Sequence, residues 1–153
     1  MLKYVDTKIV FQEIPDEITL AINISNCPCQ CKGCHSSYLA EDIGYELTTE
    51  VLDNFIRSNK GITCIAFMGG DIDVKEINIL ALIVKVLTDD TLKVAWYSGR
   101  QELCPEIDLC NFDYIKLGPY VEELGPLNSK TTNQKLYKIV NNELINITER
   151  FWK

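Results

Sequence analysis

Four apolar runs, each cut off by glycine or a small polar residue, constrain this chain more than any other feature. They are residues 18–24 (ITLAINI), 62–68 (ITCIAFM), 93–97 (KVAWY) and 114–117 (YIKL). They stop at Ser25-Asn26, Gly69-Gly70-Asp71, Ser98-Gly99 and Gly118-Pro119. Near-continuous apolar, β-branched runs of this length read as strands covered on both faces. Helical patterns lie between them. Thr48 or Thr49 can cap a helix running to about Lys60, with Val51, Leu52, Phe55 and Ile56 on one face and Gly61 as a left-handed stop. Asp73, with Glu76 three places on, makes a second start of capping-box type. The helix behind it repeats Ile77, Leu80, Ala81, Val84 and Leu87 at helical spacing. Ile79, Leu82, Ile83 and Val86 widen its apolar surface, which predicts a well-buried helix.

Strands alternating with helices predict an α/β fold built of βα units and a parallel sheet, whose ligands gather at the C-terminal ends of the strands. At the N-terminus, residues 8–14 read as a short strand that the preceding residues join as a hairpin. At the other end, residues 135–140 and 144–148 flank Asn141-Asn142-Glu143, the pattern of a C-terminal β-hairpin. Residues 121–133 are polar and read as a loop. A chain of 153 residues with 46% hydrophobic and 24% charged residues fits one domain, 1–153. Its net charge of −7 argues against general nucleic-acid binding. No apolar core of a signal peptide opens the sequence, and the longest apolar stretch, 77–87, is broken by Lys85 and too short to span a bilayer. With an odd number of cysteines, seven, the expected setting is a reducing cytoplasm, with no membrane partner.

Four of those cysteines and the single histidine fall within the nine residues Cys27-Pro28-Cys29-Gln30-Cys31-Lys32-Gly33-Cys34-His35, directly after the first run. Crowded thiolates repel one another unless a metal neutralises them. Cys27, Cys31 and Cys34 stand at C-x3-C-x2-C spacing, with Cys29 between the first two. A closed zinc site needs four ligands, which Cys29 or His35 would complete. Alternatively, three thiolates hold three irons of a [4Fe–4S] cluster and leave the fourth open to a substrate or cofactor.

C-x3-C-x2-C on the loop after the first core strand resembles the cluster motif of radical S-adenosylmethionine (SAM) enzymes. With Met68-Gly69-Gly70-Asp71, Tyr97-Ser98-Gly99, Tyr114-Ile115-Lys116-Leu117-Gly118-Pro119-Tyr120 and Thr131-Thr132-Asn133-Gln134, nearly the whole chain resembles their smallest branch, the activating proteins of anaerobic ribonucleoside-triphosphate reductase. The resemblance implies a partial open (β/α) barrel, mostly parallel, closing with the C-terminal hairpin. It implies Cys27, Cys31 and Cys34 as cluster ligands, and SAM bound at the fourth iron beside Gly33, Cys34, His35, Gly69, Gly70, Asp71 and Ser98. No catalytic residue is implied beyond the cluster and the SAM site. Reduced flavodoxin or ferredoxin would supply the electron that cleaves SAM, and the resulting radical would take hydrogen from a glycine in the glycyl-radical loop of the reductase large subunit. Three positions depart from the pattern: Gly33 stands where an aromatic residue is common, Asp71 replaces the usual Glu, and Ile72 follows where Pro is common. Activation of another glycyl-radical enzyme, and a non-catalytic zinc-binding interaction module, are the alternative readings.

Overall fold

The computed structural model describes residues 1–27 and 41–152. Within them, eight strands join one sheet: β1 (Lys3–Val10), β2 (Thr19–Ile24), β3 (Tyr45–Glu46), β4 (Cys64–Met68), β5 (Lys93–Tyr97), β6 (Tyr114–Leu117), β7 (Lys135–Val140) and β8 (Glu143–Asn146). Their order across the sheet is β3-β1-β2-β4-β5-β6-β7-β8. The α-helices among the described residues are α1 (Thr49–Ser58) and α2 (Val74–Leu87).

This arrangement overturns the expected mostly parallel (β/α) barrel. The sheet is mixed. β2, β4, β5 and β6 run parallel, but β1 pairs antiparallel with both β2 and β3, β6 with β7, and β7 with β8. Parallel neighbours need a crossover of a dozen or more residues, and two of the three crossovers here carry a helix. β1, β7 and β8 join the sheet through antiparallel reversals, and β3 pairs with the far side of β1. At the tightest of these reversals, Asn141 and Asn142 take φ values of 52° and 63°, the left-handed pair that a two-residue hairpin turn requires.

The N-terminal strand also differs from expectation. β1 starts at Lys3 rather than residue 8, and it pairs with β2 instead of folding on itself. The chain reverses at residues 11–18, where Asp16 takes a φ of 68°. Ile14 leaves the strand and becomes fully buried against the sheet.

Alternate residues of the parallel strands face two cores. Ile22, Ile65, Phe67, Val94, Trp96 and Ile115 pack with α1 and α2. The opposite face is floored by Ala21, Ala66 and Ala95, in register across β2, β4 and β5. Two residues further toward the strand ends, that same face presents Asn23, Met68, Tyr97 and Lys116 as a row. On this face the small alanines give way to the larger Asn23, Met68, Tyr97 and Lys116 toward the C-terminal ends of the strands.

Both helix starts follow their capping residues. The Thr48 hydroxyl accepts from the Val51 amide at 3.2 Å, and the Asp73 carboxylate from the Glu76 amide at 3.2 Å. The expectation of a well-buried second helix fails on one side. α2 buries Val74, Ile77, Leu80, Ala81 and Val84, yet Ile79, Leu82 and Val86 are 51%, 48% and 69% exposed. Only one face of α2 meets the sheet and α1. No helix among the described residues is long and apolar enough to cross a membrane.

Candidate metal centre

β2 delivers the chain to the cysteine segment, and the neck of that segment is tied shut. The Ser25 amide donates to the Lys3 carbonyl, and the Asn26 amide to the Glu41 carbonyl at 3.1 Å. The Asn26 side chain donates to Asp42 Oδ1 at 2.9 Å, which Lys3 Nζ also reaches at 2.9 Å. These bonds hold Asp42 below the usual carboxylate range, with the Asn26 amide the larger influence. Asn26 itself takes a φ of 60°, a left-handed turn that Asn tolerates better than most residues. The chain therefore leaves the sheet at residue 26 and returns beside it at 41, with every member of the thiol cluster between.

Cys27 is the last residue described before the loop, and its thiol is free and partly exposed. Cys29, Cys31, Gly33, Cys34 and His35 lie outside the described residues. Among the described residues, no group of three His, Cys, Asp or Glu side chains is placed to hold a metal ion. The donor set fits an iron–sulfur cluster by its chemistry: a free thiol at the mouth of a closed loop that carries the other thiols, soft ligands of the kind iron–sulfur clusters take.

The Gly-Gly-Asp segment abuts this neck. Gly69 has a φ of 111°, and a Cβ there would lie 3.1 Å from the Ile24 carbonyl oxygen, so only glycine lets the end of β4 press against the end of β2. The Gly69 carbonyl accepts from Trp96 Nε1 at 2.7 Å. Two residues on, Asp71 is 2% exposed. Its carboxylate accepts from the Ser98 hydroxyl at 2.5 Å and from the Gly99 amide at 2.8 Å. Arg100 approaches the same carboxylate at 3.6 Å and donates to the Asp71 carbonyl at 2.9 Å. Sequence reasoning named Asp71 and Ser98 separately; the structure joins them directly.

The network continues across the sheet. The Ser98 amide donates to the Lys116 carbonyl, and the buried Lys116 ammonium donates to the carbonyls of Ser98 at 3.0 Å and Gly118 at 2.9 Å. It also lies 5.6 Å from the centre of the Tyr97 ring, within cation–π range. Tyr97 donates its hydroxyl to the Glu13 carbonyl, and burial pushes that hydroxyl well above its ordinary pKa. Tyr97 and Lys116 line a cleft of about 400 Å³ with Tyr120, Gln134 and Phe151, on the sheet face opposite the helices. Sequence reasoning missed one member of this rim, Arg100, whose signal was only its place two residues past Ser98. Lys116 stood out at a strand end, but nothing in the pattern marked its ammonium as buried.

The remaining cysteines stand apart from the loop. Cys64 is fully buried on β4, Cys104 is partly exposed and Cys110 is exposed. Burial pushes the Cys64 thiol up to about 12, which leaves a thiolate fraction of about 10⁻⁴ at pH 8. Brief iodoacetamide treatment of the native protein at that pH should label Cys110 and leave Cys64 unmodified until denaturant is added. Peptide mass mapping reads both sites.

Residues 18–141 match the family model described as a 4Fe-4S single cluster domain. No curated protein matches the chain, and no solved structure does. The matched segment begins one residue before β2 and reaches into the terminal hairpin, so it spans the cysteine loop and every strand end of the rim. The match favours iron–sulfur over zinc for this chain, which belongs to the family of 4Fe–4S single-cluster domains.

Proposed function

We propose that this iron–sulfur protein is a radical SAM enzyme that activates anaerobic ribonucleoside-triphosphate reductase by generating a glycyl radical on its large subunit. The observation that carries the reading is the contact at Gly69, which sets the Gly69-Gly70-Asp71 segment against the mouth of the cysteine loop. A second molecule at an open iron would find that segment next to it. On this reading Cys27, Cys31 and Cys34 hold the cluster, and Gly33 and His35 form the near wall of the SAM site. The bound cluster supplies one-electron reduction of the SAM sulfonium, with reduced flavodoxin or ferredoxin as donor.

The chain's own residues do the positioning. Gly69 and Gly70 bring backbone rather than side chain toward the cofactor. Asp71 accepts the SAM ammonium in a charge-assisted bond. Ser98 and Gly99 both donate to this carboxylate. Those two residues, with Arg100, fix where the carboxylate points. The cleft on the same side of the sheet as Tyr97 and Lys116 offers the partner's glycine loop a route to the rim. The thiol-rich loop suits an anaerobic, reducing cytoplasm.

The test is anaerobic reconstitution with iron and sulfide, followed by dithionite and SAM. Methionine and 5′-deoxyadenosine should form in equal amounts, and adding the reductase should give the electron paramagnetic resonance signal of a glycyl radical. A protein that assembles its cluster but leaves SAM intact overturns the proposal and keeps only the family assignment. Cleavage without the glycyl signal would point to a different partner.

A further inference from the structure

Residues 119–133 leave the sheet and return to it at almost the same point. Gly118 stands at one end and Gln134 at the other, both buried. Gly118 has a φ of 109°, and a Cβ there would lie 3.0 Å from the Gln134 Cα. The Asn133 side chain closes the neck by donating to the Pro119 carbonyl at 3.1 Å. Between these ends the loop bonds to itself. The Leu124 and Gly125 amides donate to the Val121 carbonyl, and the Thr131 and Thr132 hydroxyls to the carbonyls of Leu124 at 2.7 Å and Gly125 at 3.0 Å. Joined ends and internal bonds make it an Ω-loop. None of residues 119–133 is buried, so the step from a firm sheet to a weakly held segment falls at the neck.

The loop is also a wall of the cleft. Tyr120, Pro126, Leu127 and Asn128 line that space together with Tyr97 and Lys116 of the sheet. Its far end is pinned from outside: Trp152 Nε1 donates to the Leu127 carbonyl at 3.1 Å, and the Leu127 side chain packs against the cluster that holds Ile14 and Leu136. We propose that residues 119–133 form a lid, hinged at Gly118 and Gln134 and latched by Trp152, that swings out as a unit to open the cleft to an extended polypeptide. The cleft of about 400 Å³ lies near the lower end of the range for compact small ligands, about 300–1,000 Å³. A polypeptide that runs along the sheet to the Gly-Gly-Asp rim needs a longer opening. The internal bonds let the loop move without unfolding. Gly118 stays behind, because its amide donates to the Arg100 carbonyl at 2.6 Å and its carbonyl accepts from Lys116 at 2.9 Å. One neutral hydrogen bond and one apolar side chain form the latch, so the open and closed forms lie within reach of each other. The lid is read from the fold; that its occupant is a polypeptide rests on the activity proposed above.

Spin labels on ketone-bearing residues introduced at Gln12 and Asn128 report the movement and leave the cysteines untouched. Both positions line the cleft, Gln12 from the reversal after β1 and Asn128 from the lid. Double electron–electron resonance on the reconstituted full chain, with its cluster oxidised, should give a shorter and a longer distance. Trp152→Phe removes the indole N–H and keeps an aromatic ring, and should raise the ratio of longer to shorter about two- to tenfold. A control pair at Gln12 and Glu143, both outside the lid, should give one distance in both proteins. Circular dichroism and the cluster absorbance confirm that each variant is folded. A distribution between 12 and 128 that Trp152→Phe leaves unchanged overturns the lid. A shift that the control pair shares is general loosening and overturns it equally. With the reductase as substrate, easier opening should lower its KM by the same factor and leave kcat alone. A raised KM would make the closed wall part of the binding surface, and the proposal would fail. If no glycyl radical forms in either protein while the distances behave as expected, the lid stands and its polypeptide occupant falls with the proposed activity.

Discussion

Cys27→Ala, Cys31→Ala and Cys34→Ala should each abolish both the visible iron–sulfur absorbance and reductive SAM cleavage, whereas Cys29→Ala should keep most of both. A cluster held by three thiolates loses a third of its protein ligands with any one of them, and the described surroundings offer no replacement. Asp42, the carboxylate beside the neck, is engaged by Lys3 and Asn26. Cys64 is fully buried on β4 with its thiol pushed up to about 12. The loop neck does not depend on the thiols, because Asn26 bonds to Glu41 and Asp42 in any of the variants. Loss of the cluster then reads as loss of a ligand, and thermal unfolding of the metal-free proteins should be nearly unchanged. Iron and sulfide analysis with ultraviolet–visible spectra decides the matter. Loss of the cluster in Cys29→Ala, with retention in one of the other three, would reassign the ligand set.

How far the sequence reveals this molecule depends on what an apolar pattern can encode. The four strand ends were legible, because a buried run that halts at Gly-Gly or Ser-Gly marks both a strand and its C-terminus. The helix starts at Thr48 and Asp73 were legible for an equally local reason, the side chain that accepts the first free amides. Strand direction was not. Alternation of residues says which face is covered, and nothing about whether a neighbour runs up or down. β1 and β7 mix charged with apolar residues and are less buried than the near-continuous apolar runs of the parallel strands, and they flank those strands antiparallel. The extra exposed side of α2 was misread for a related reason: a helix that is apolar all round reads as buried, although only one face meets the sheet and α1. At the rim, the residue types at 69–71 and 98 were readable, but the bond between Asp71 and Ser98 was not. That bond depends on β4 and β5 being neighbours in register.

Asp71 should separate into a structural part and a functional part when its charge and its shape are changed in turn. Asp71→Ala removes the acceptor of the Ser98 hydroxyl and the Gly99 amide. A buried donor left without a partner costs about 1–3 kcal/mol. Arg100, half-exposed, can return to water, and the hydroxyl can rotate to another acceptor, but the Gly99 amide cannot. The melting temperature should fall by roughly 2–4 °C for each kcal/mol lost. Asp71→Asn keeps the shape: its carbonyl oxygen can face the Gly99 amide and its NH2 the Ser98 oxygen, so most of that stability should remain. What it lacks is the charge. If Asp71 receives the SAM ammonium, the substitution exchanges a charge-assisted bond for a neutral one, a difference of about 1–1.5 kcal/mol. SAM affinity should then fall about tenfold, with the cluster spectrum unchanged. Equilibrium binding of SAM to the reconstituted protein measures this, and unfolding curves measure the rest. A folded Asp71→Asn protein that binds SAM as tightly as the parent would leave Asp71 as a clamp on Ser98 and Gly99, and would move the ammonium contact elsewhere on the rim.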